Sequence, residues 1–138
     1  MNSYYHGKGG ERIRAYNARY RDKNRSKVNE QIAKIARTVK GKWHRFKAEA
    51  KRDGKLEELY ITFEDFERFQ SQKCHYCESD LPETGRGIDR KDSSIGYTVE
   101  NCVPCCWTCN NTKGHLITYD EMLNLIAYRK SKSTAGNK

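Results

Sequence analysis

Six cysteines lie within one short stretch of this 138-residue chain, from Cys74 to Cys109. The first two have C-x-x-C spacing in CHYC, and the other four follow in NCVPCCWTCN. Thiolates at this spacing can hold a tetrahedral zinc ion or form a disulfide. The first thirty residues lack the apolar segment of an export signal, so we expect a reducing compartment and favour zinc.

The downstream group offers two C-x-x-C pairs, 102/105 and 106/109. We expect the second pair to complete the site, because CWTCNNTK is typical of a zinc knuckle that opens a short helix. Cys102 would then be a strand residue and Cys105 a buried thiol. Four sulfur ligands leave no position for water, so this zinc would be structural. The predicted zinc ligands are Cys74, Cys77, Cys106 and Cys109.

Two oxygen-bearing side chains flank this predicted site. Asp89 ends a predicted strand, and Asn110 directly follows the last cysteine. If zinc ties a hairpin to the following helix, these two side chains come close together. Carboxylate and amide oxygens are hard ligands suited to Mg²⁺, which keeps water positions that a phosphate can displace.

The charge of the chain is unevenly spread. Residues 1–56 hold 17 Lys and Arg against 5 Asp and Glu, whereas residues 57–138 hold 10 against 13. A net charge of +9 and a pI near 9.3 point to a polyanion such as nucleic acid. No apolar run approaches the roughly 20 residues of a membrane span, so we expect an intracellular, cytoplasmic protein without a membrane segment.

The elements that must position these residues follow from periodicity and capping. Residues 11–50 read as helix with one apolar stripe, which could pack on the core, face a partner helix or accompany a DNA-binding basic face. Thr62 and Thr118 begin two further helices, and Phe63, Phe66 and Phe69 of the first are predicted core. Residues 87–90 and 97–103 read as a hairpin.

The apolar stripe of the helix predicted over residues 11–50 comprises Val28, Ile32, Ile35, Val39, Trp43 and Phe46.

From CHYC through GIDRKDSSIGYTVENCVPCCWTCNNTKG the chain resembles the zinc-containing HNH endonucleases, or ββα-metal nucleases. It is most similar to phage-type members with two C-x-x-C knuckles, over about residues 60–126. The resemblance implies an α+β fold, with a treble-clef-like, zinc-bound ββα-metal core preceded by a basic helical arm. We expect a nucleic-acid-binding arm over 1–56, an HNH-like domain over 57–130 and a disordered tail over 131–138.

The resemblance also implies roles for individual residues. Asp89 matches the Asp of the family's Asp-His pair, and Asn110 matches the last position, a ligand of Mg²⁺ or Mn²⁺. Asn101 matches the middle Asn, which orients the loop and the hairpin. The same four cysteines match the zinc ligands.

One departure concerns the general base. The family usually places His after the Asp, but this chain has Arg90, whose guanidinium stays protonated and cannot act as an ordinary base. Arg90 could instead clamp the scissile phosphate or stabilise transition-state charge. The base is left open among His115, Asp92 and a metal-bound hydroxide. Lys113 reads either as a phosphate contact or as a solvated lysine.

The function implied is metal-dependent hydrolysis of phosphodiester bonds in double-stranded DNA, with Asp89, Arg90, Asn101, Asn110 and His115 as the candidate catalytic residues. The alternative is a non-catalytic zinc-knuckle module that binds DNA or RNA, which the missing His favours. A redox protein is disfavoured, because the βαβ context of thioredoxin-like chemistry is absent. A homodimer is left open, because the apolar stripe could serve a partner helix.

Overall fold

The computed structural model describes residues 8–136. Residues 1–7 of the predicted arm and 137–138 of the predicted tail therefore lie outside the described residues. None of the helices within 8–136 has the length and apolar character needed to cross a membrane. The elements in chain order are α1 (Lys8–Lys23), α2 (Arg25–Ala36), α3 (Val39–Arg52), α4 (Phe63–Gln70), β1 (Ile88–Arg90), β2 (Cys102–Pro104), α5 (Trp107–Lys113) and α6 (Tyr119–Ala135).

The chain divides into two compact units, the first ending at Ile35 and the second beginning at Ala36. Within the first unit, α1 and α2 are separated only by Asn24, whose backbone N–H still donates to the Tyr20 carbonyl. Residues 8–35 hold nine Lys and Arg against three acidic residues. The side chains over residues 9–35 are almost all exposed, including those of Ile32 and Ile35.

The single helix predicted over residues 11–50 is in fact three helices. Thr38 is the reason for the break before α3, because its hydroxyl accepts a hydrogen bond from the Gly41 N–H and caps the new helix. The predicted stripe divides at the same place: Trp43 and Phe46 are buried in the second unit. The boundary between the two units, after Ile35, therefore lies earlier in the chain than the boundary at residue 56 that we expected from the charge distribution.

The first core cluster of the second unit is aromatic. Trp43 and Phe46 of α3 pack against Phe66 of α4, with ring centroids 5.3 and 5.6 Å from that ring. Tyr97 meets Phe46 edge-on at 4.9 Å. The predicted core role is thus confirmed for Phe66 and Phe69, which are buried, while Phe63 is half-buried against the same cluster.

Replacing Trp43 by alanine should destabilise the second unit by about 3–5 kcal/mol, because it removes a large, 8%-exposed side chain from this cluster. Ile35→Ala is the control, since that side chain is 65% exposed and its loss should cost less than about 0.5 kcal/mol. Urea unfolding followed by circular dichroism measures both. Equal effects of the two changes would contradict this division of the stripe.

Both predicted helix starts after residue 60 are confirmed. Thr62 and Asp65 form a capping box at α4, and Thr118 and Glu121 form one at α6. The end of the chain differs from expectation: α6 runs through Ala135, so residues 131–135 are helical rather than disordered.

The hairpin is antiparallel but shorter than predicted. Asp89 of β1 faces Val103 of β2, and the pairing extends one residue to each side. Residues 97–101 do not join β2, because Tyr97 pairs with the segment before α4: its N–H donates to the Glu58 carbonyl at 2.8 Å. Gly96 permits this approach, since a Cβ there would lie 2.5 Å from the Glu58 oxygen.

Strands β1 and β2 and helix α5 follow one another and form a small ββα core. Around it lie α3, α4 and α6 of the same unit, together with a cluster of cysteines. The fold is therefore the α+β arrangement predicted from the sequence, with a basic helical segment before it.

Candidate functional site

Four cysteine sulfurs converge on one point. The Sγ atoms of the four lie within 4.8 Å of one another, and the Cys77 and Cys106 sulfurs are 3.7 Å apart. Zn–S bonds of about 2.3 Å in a tetrahedron place sulfurs about 3.8 Å apart. The residues present therefore fit zinc. The cluster comprises Cys74, Cys77, Cys106 and Cys109, the set predicted from the spacing.

Local hydrogen bonds position each half of this cluster. In the first cysteine pair the Cys74 N–H donates to the Ser79 carbonyl, and the His75 N–H donates to the Pro104 carbonyl at the end of β2. In the second, Cys106 caps α5, with its Sγ accepting from the Cys109 N–H at 3.4 Å. The first pair is thus tied to the end of β2, and the second pair lies at the start of α5.

The remaining two cysteines lie outside the cluster. Cys102 is in β2, and burial raises its pKa to about 12. Cys105 is adjacent to Cys106 in the chain, but its sulfur is not among the four that converge. Burial also raises the pKa of Cys105. Both remain neutral thiols at neutral pH, in contrast to the thiolates that zinc requires.

A cleft of about 680 Å³ lies beside the ββα core in the second unit. Four of the five predicted catalytic residues line it, and Asn101 does not. The opposite wall comes from α3 and the loop before β1 and is rich in cations. From the core side the cleft receives Asp89, Arg90, Asn110 and His115, and from the other wall Arg45, Glu49, Arg52, Lys55 and Arg86.

The cationic wall is organised around one carboxylate. Glu49 accepts a hydrogen bond from Arg86 Nε at 2.8 Å and one from Arg45 Nε at 3.2 Å. Burial opposes its ionisation, but these two guanidinium groups outweigh that effect and lower the pKa of Glu49. Arg52 and Lys55 extend the positive surface, which suits a phosphate backbone.

Asp89 is 7% exposed at the cleft floor and is held by two neighbours. The Tyr76 hydroxyl donates to its Oδ2 at 2.8 Å. Burial and the Asp89 charge raise the pKa of Tyr76 strongly, so that hydroxyl remains a donor. The second neighbour is Lys113, whose Nζ lies 3.3 Å from the same Oδ2.

Lys113 is buried, so both predictions for it, a phosphate contact and a solvated lysine, are wrong. It is 1% exposed and ends α5, and its ammonium also donates to the Arg90 carbonyl at 2.8 Å. The sequence does place Lys113 three residues after Asn110 on one short helix. That spacing puts both on one side of α5, but the burial depends on how the helix packs.

Asn101 lies in the turn before β2 and ties down the loop that joins the strands. Its Oδ1 accepts from the Asp92 N–H at 3.0 Å, and its Nδ2 donates to the Asp92 and Gly96 carbonyls, each at 3.0 Å. It does not line the cleft, so it has no direct access to a substrate there. These contacts make Asn101 a positioning residue for the loop after Asp89.

Asn101→Ala should destabilise the second unit by about 1–3 kcal/mol, because the Asp92 N–H and two carbonyl groups lose their partner. Asn124→Ala on the exposed side of α6 is the matched control and should be nearly neutral. Amide hydrogen exchange should show faster exchange at Asp92 in the first variant alone. Unchanged exchange there would contradict the assigned role.

The Arg90 side chain also makes contacts within the second unit. Its guanidinium lies over the Tyr97 ring at 4.8 Å and donates to the Ile95 carbonyl at 3.0 Å. A guanidinium has five N–H donors, so donors remain for a phosphate in the cleft.

Two side-chain alternatives for the general base are separated by the geometry. Asp92 accepts from the Ser94 hydroxyl and N–H, which lower its pKa, and it does not line this cleft. His115 is exposed and lines the cleft together with Asp89 and Asn110. His115 is therefore better placed to accept a proton there.

No family model matches the chain. An uncharacterized protein of Acanthamoeba polyphaga mimivirus is 37% identical over 75 residues, which are 54% of this chain and 14% of that protein. Among solved structures, the rare-cutting HNH restriction endonuclease PacI matches with a TM-score of 0.55 and 21% identity, over 72% of this chain and 82% of PacI. The fold resembles that of an HNH endonuclease. This likeness is one of fold.

Proposed function

We propose that this chain is a metal-dependent HNH-type endonuclease that hydrolyses DNA phosphodiester bonds, with a structural zinc. The observation that carries the proposal is the cleft, in which Asp89, Asn110 and His115 of a ββα core face a wall of arginines and a lysine. The fold shared with an HNH restriction endonuclease supports it.

The donors at the cleft floor fit a divalent cation. Asp89 offers a carboxylate and Asn110 an amide oxygen, which are the hard ligands that Mg²⁺ and Mn²⁺ take. Bound there, Mg²⁺ or Mn²⁺ would supply positive charge that stabilises the phosphate and the leaving oxygen. Lys113 opposes this binding electrostatically without blocking it, since both carboxylate oxygens keep further lone pairs.

The chain's own residues supply the other roles. Arg45, Arg52 and Lys55 bind the phosphates that flank the scissile bond, and Arg90 donates to the scissile phosphate. His115 accepts the proton of the attacking water. The basic helices α1 and α2 bind the DNA backbone without sequence preference.

Supercoiled plasmid tests the proposal directly. Zinc-loaded protein should nick or linearise it when Mg²⁺ or Mn²⁺ is added, and should leave it intact without either ion. Fluorescence anisotropy of a labelled duplex, measured in parallel, should show salt-sensitive binding. Tight binding of DNA that stays intact with every metal would overturn the nuclease proposal.

A second candidate is a zinc-containing module that binds DNA or RNA without cutting it. The ion pair between Asp89 and Lys113 favours it, because the carboxylate already has a positive partner. Arg90 in place of a histidine also favours it. The two candidates differ in one outcome, which is metal-dependent strand cleavage.

A further inference from the structure

Lys113 differs from the other cations near the cleft in what its ammonium contacts. It is 1% exposed, whereas Arg45, Arg52 and Lys55 line the cleft wall. Its Nζ lies 3.3 and 3.5 Å from the two oxygens of Asp89 and donates to the Arg90 carbonyl. Lys113 is thus shielded from a substrate and acts only through the groups that it touches.

The charges around Asp89 balance before any metal binds. The carboxylate carries one negative charge, the Lys113 ammonium one positive charge, and the Tyr76 hydroxyl contributes a neutral hydrogen bond. A divalent cation on Asp89 would face the ammonium across the same carboxylate. Like charges a few ångströms apart in a water-poor site repel strongly, so the free protein should bind the cation weakly.

We infer that Lys113 is a positioning residue that neutralises Asp89 in the free protein and thereby makes tight binding of the divalent metal depend on a DNA phosphate in the cleft. This inference rests on the proposed function. The phosphate supplies the negative charge that Lys113 cancels, so DNA and metal should each raise the affinity for the other. The contacts of Lys113 to β1 also fix α5, which carries Asn110, against the strand that carries Asp89.

Mn²⁺ binding to the zinc-loaded full chain, measured without DNA by electron paramagnetic resonance, tests this. Lys113→Gln should bind Mn²⁺ ~tenfold or more tightly than the unmodified chain, because the amide can still donate to the Arg90 carbonyl but carries no charge. Lys55→Gln removes a charge from the same cleft and should change the affinity less than ~threefold, because that half-buried lysine lies on the cationic wall and not beside the Asp89 carboxylate. A structural role alone would lower the affinity on substitution.

A double variant and a measurement on the unmodified chain extend the test, and the second keeps the inference falsifiable if Lys113→Gln folds poorly. The double variant Asp89→Asn, Lys113→Gln carries no charge at this position and should lose the gain in Mn²⁺ affinity. In the unmodified chain, Mn²⁺ should raise the affinity for a short duplex ~tenfold, because coupling between two ligands is reciprocal. Fluorescence anisotropy measures this affinity. In Asp89→Asn, Mn²⁺ should leave it unchanged.

The outcomes separate this inference from the proposed function. If Lys113→Gln and the unmodified chain bind Mn²⁺ with equal affinity, and Asp89→Asn abolishes that binding, the inference is overturned and the nuclease proposal stays intact. The inference would also be overturned if Mn²⁺ does not raise the affinity of the unmodified chain for the duplex. Mn²⁺ binding that is indifferent to Asp89→Asn in every background would overturn both.

Discussion

Removing zinc should unfold the second unit. The second core cluster consists largely of cysteine side chains, with Tyr76, Val103 and Met122 as its other buried members. Structural zinc contributes about 10–16 kcal/mol of apparent binding free energy at such sites, whereas small domains have net stabilities of only about 5–15 kcal/mol.

Chelator titration followed by tryptophan fluorescence measures this effect. Trp43 is buried in the aromatic cluster and should become exposed to water as zinc is withdrawn. Adding zinc back should restore the signal. Unchanged fluorescence and circular dichroism after complete zinc removal would show that packing alone holds the unit together.

Adjacent cysteines provide a matched pair of variants. Cys106→Ala should lose zinc and most of the stability, because Cys106 belongs to the sulfur cluster. Cys105→Ala should keep a full equivalent of zinc and lose only the packing of a small buried thiol, about 1–2 kcal/mol. Zinc content by mass spectrometry distinguishes them, and equal zinc loss from both would contradict the assignment of ligands.

The second large effect is expected on cleavage. Under the proposed function, Asn110→Ala should lower the rate of plasmid nicking by ~100-fold or more while the affinity for duplex DNA changes little, because the proposed role of the amide is at the reacting centre and that of the cationic wall is at the backbone. Asn111→Ala is the control, since Asn111 lines the same cleft one residue away and should retain activity.

Asp89→Asn should abolish cleavage as well, because in the proposed mechanism Asp89 is the charged ligand of the divalent metal. The amide can still bond to the Tyr76 hydroxyl, but Lys113 is left buried without a counter-charge. Removing one partner of a buried ion pair costs about 3–5 kcal/mol, so thermal unfolding must accompany the assay. Full nicking activity in folded Asp89→Asn or Asn110→Ala would overturn the assignment of the site.

Features set by neighbouring residues could be predicted from the sequence. The capping boxes at Thr62 and Thr118 each close within three residues, so their hydrogen bonds depend on local spacing alone. The choice of Cys106 and Cys109 followed from a knuckle that opens a helix, and α5 does begin there. Charge likewise marked the basic segment without reference to the fold.

The length of β2 and the burial of the apolar stripe depended on contacts with segments distant in the chain. Tyr97 sits in a stretch of β-forming residues, yet its backbone pairs with the segment around Glu58, so β2 starts only at Cys102. Trp43 and Ile35 share one helical periodicity, yet only Trp43 meets the phenylalanines of α4. Periodicity shows which residues share a face, and tertiary packing decides which part of that face is covered.

The site divides in the same way. Residue type and spacing singled out Asp89, Asn110 and the four cysteines, because those side chains carry ligand atoms whatever their surroundings. The sequence could not predict that Lys113 is buried against Asp89, or that α3 forms the second wall of the cleft. Both depend on contacts between segments far apart in the chain, and the charge balance around a carboxylate is set by those contacts.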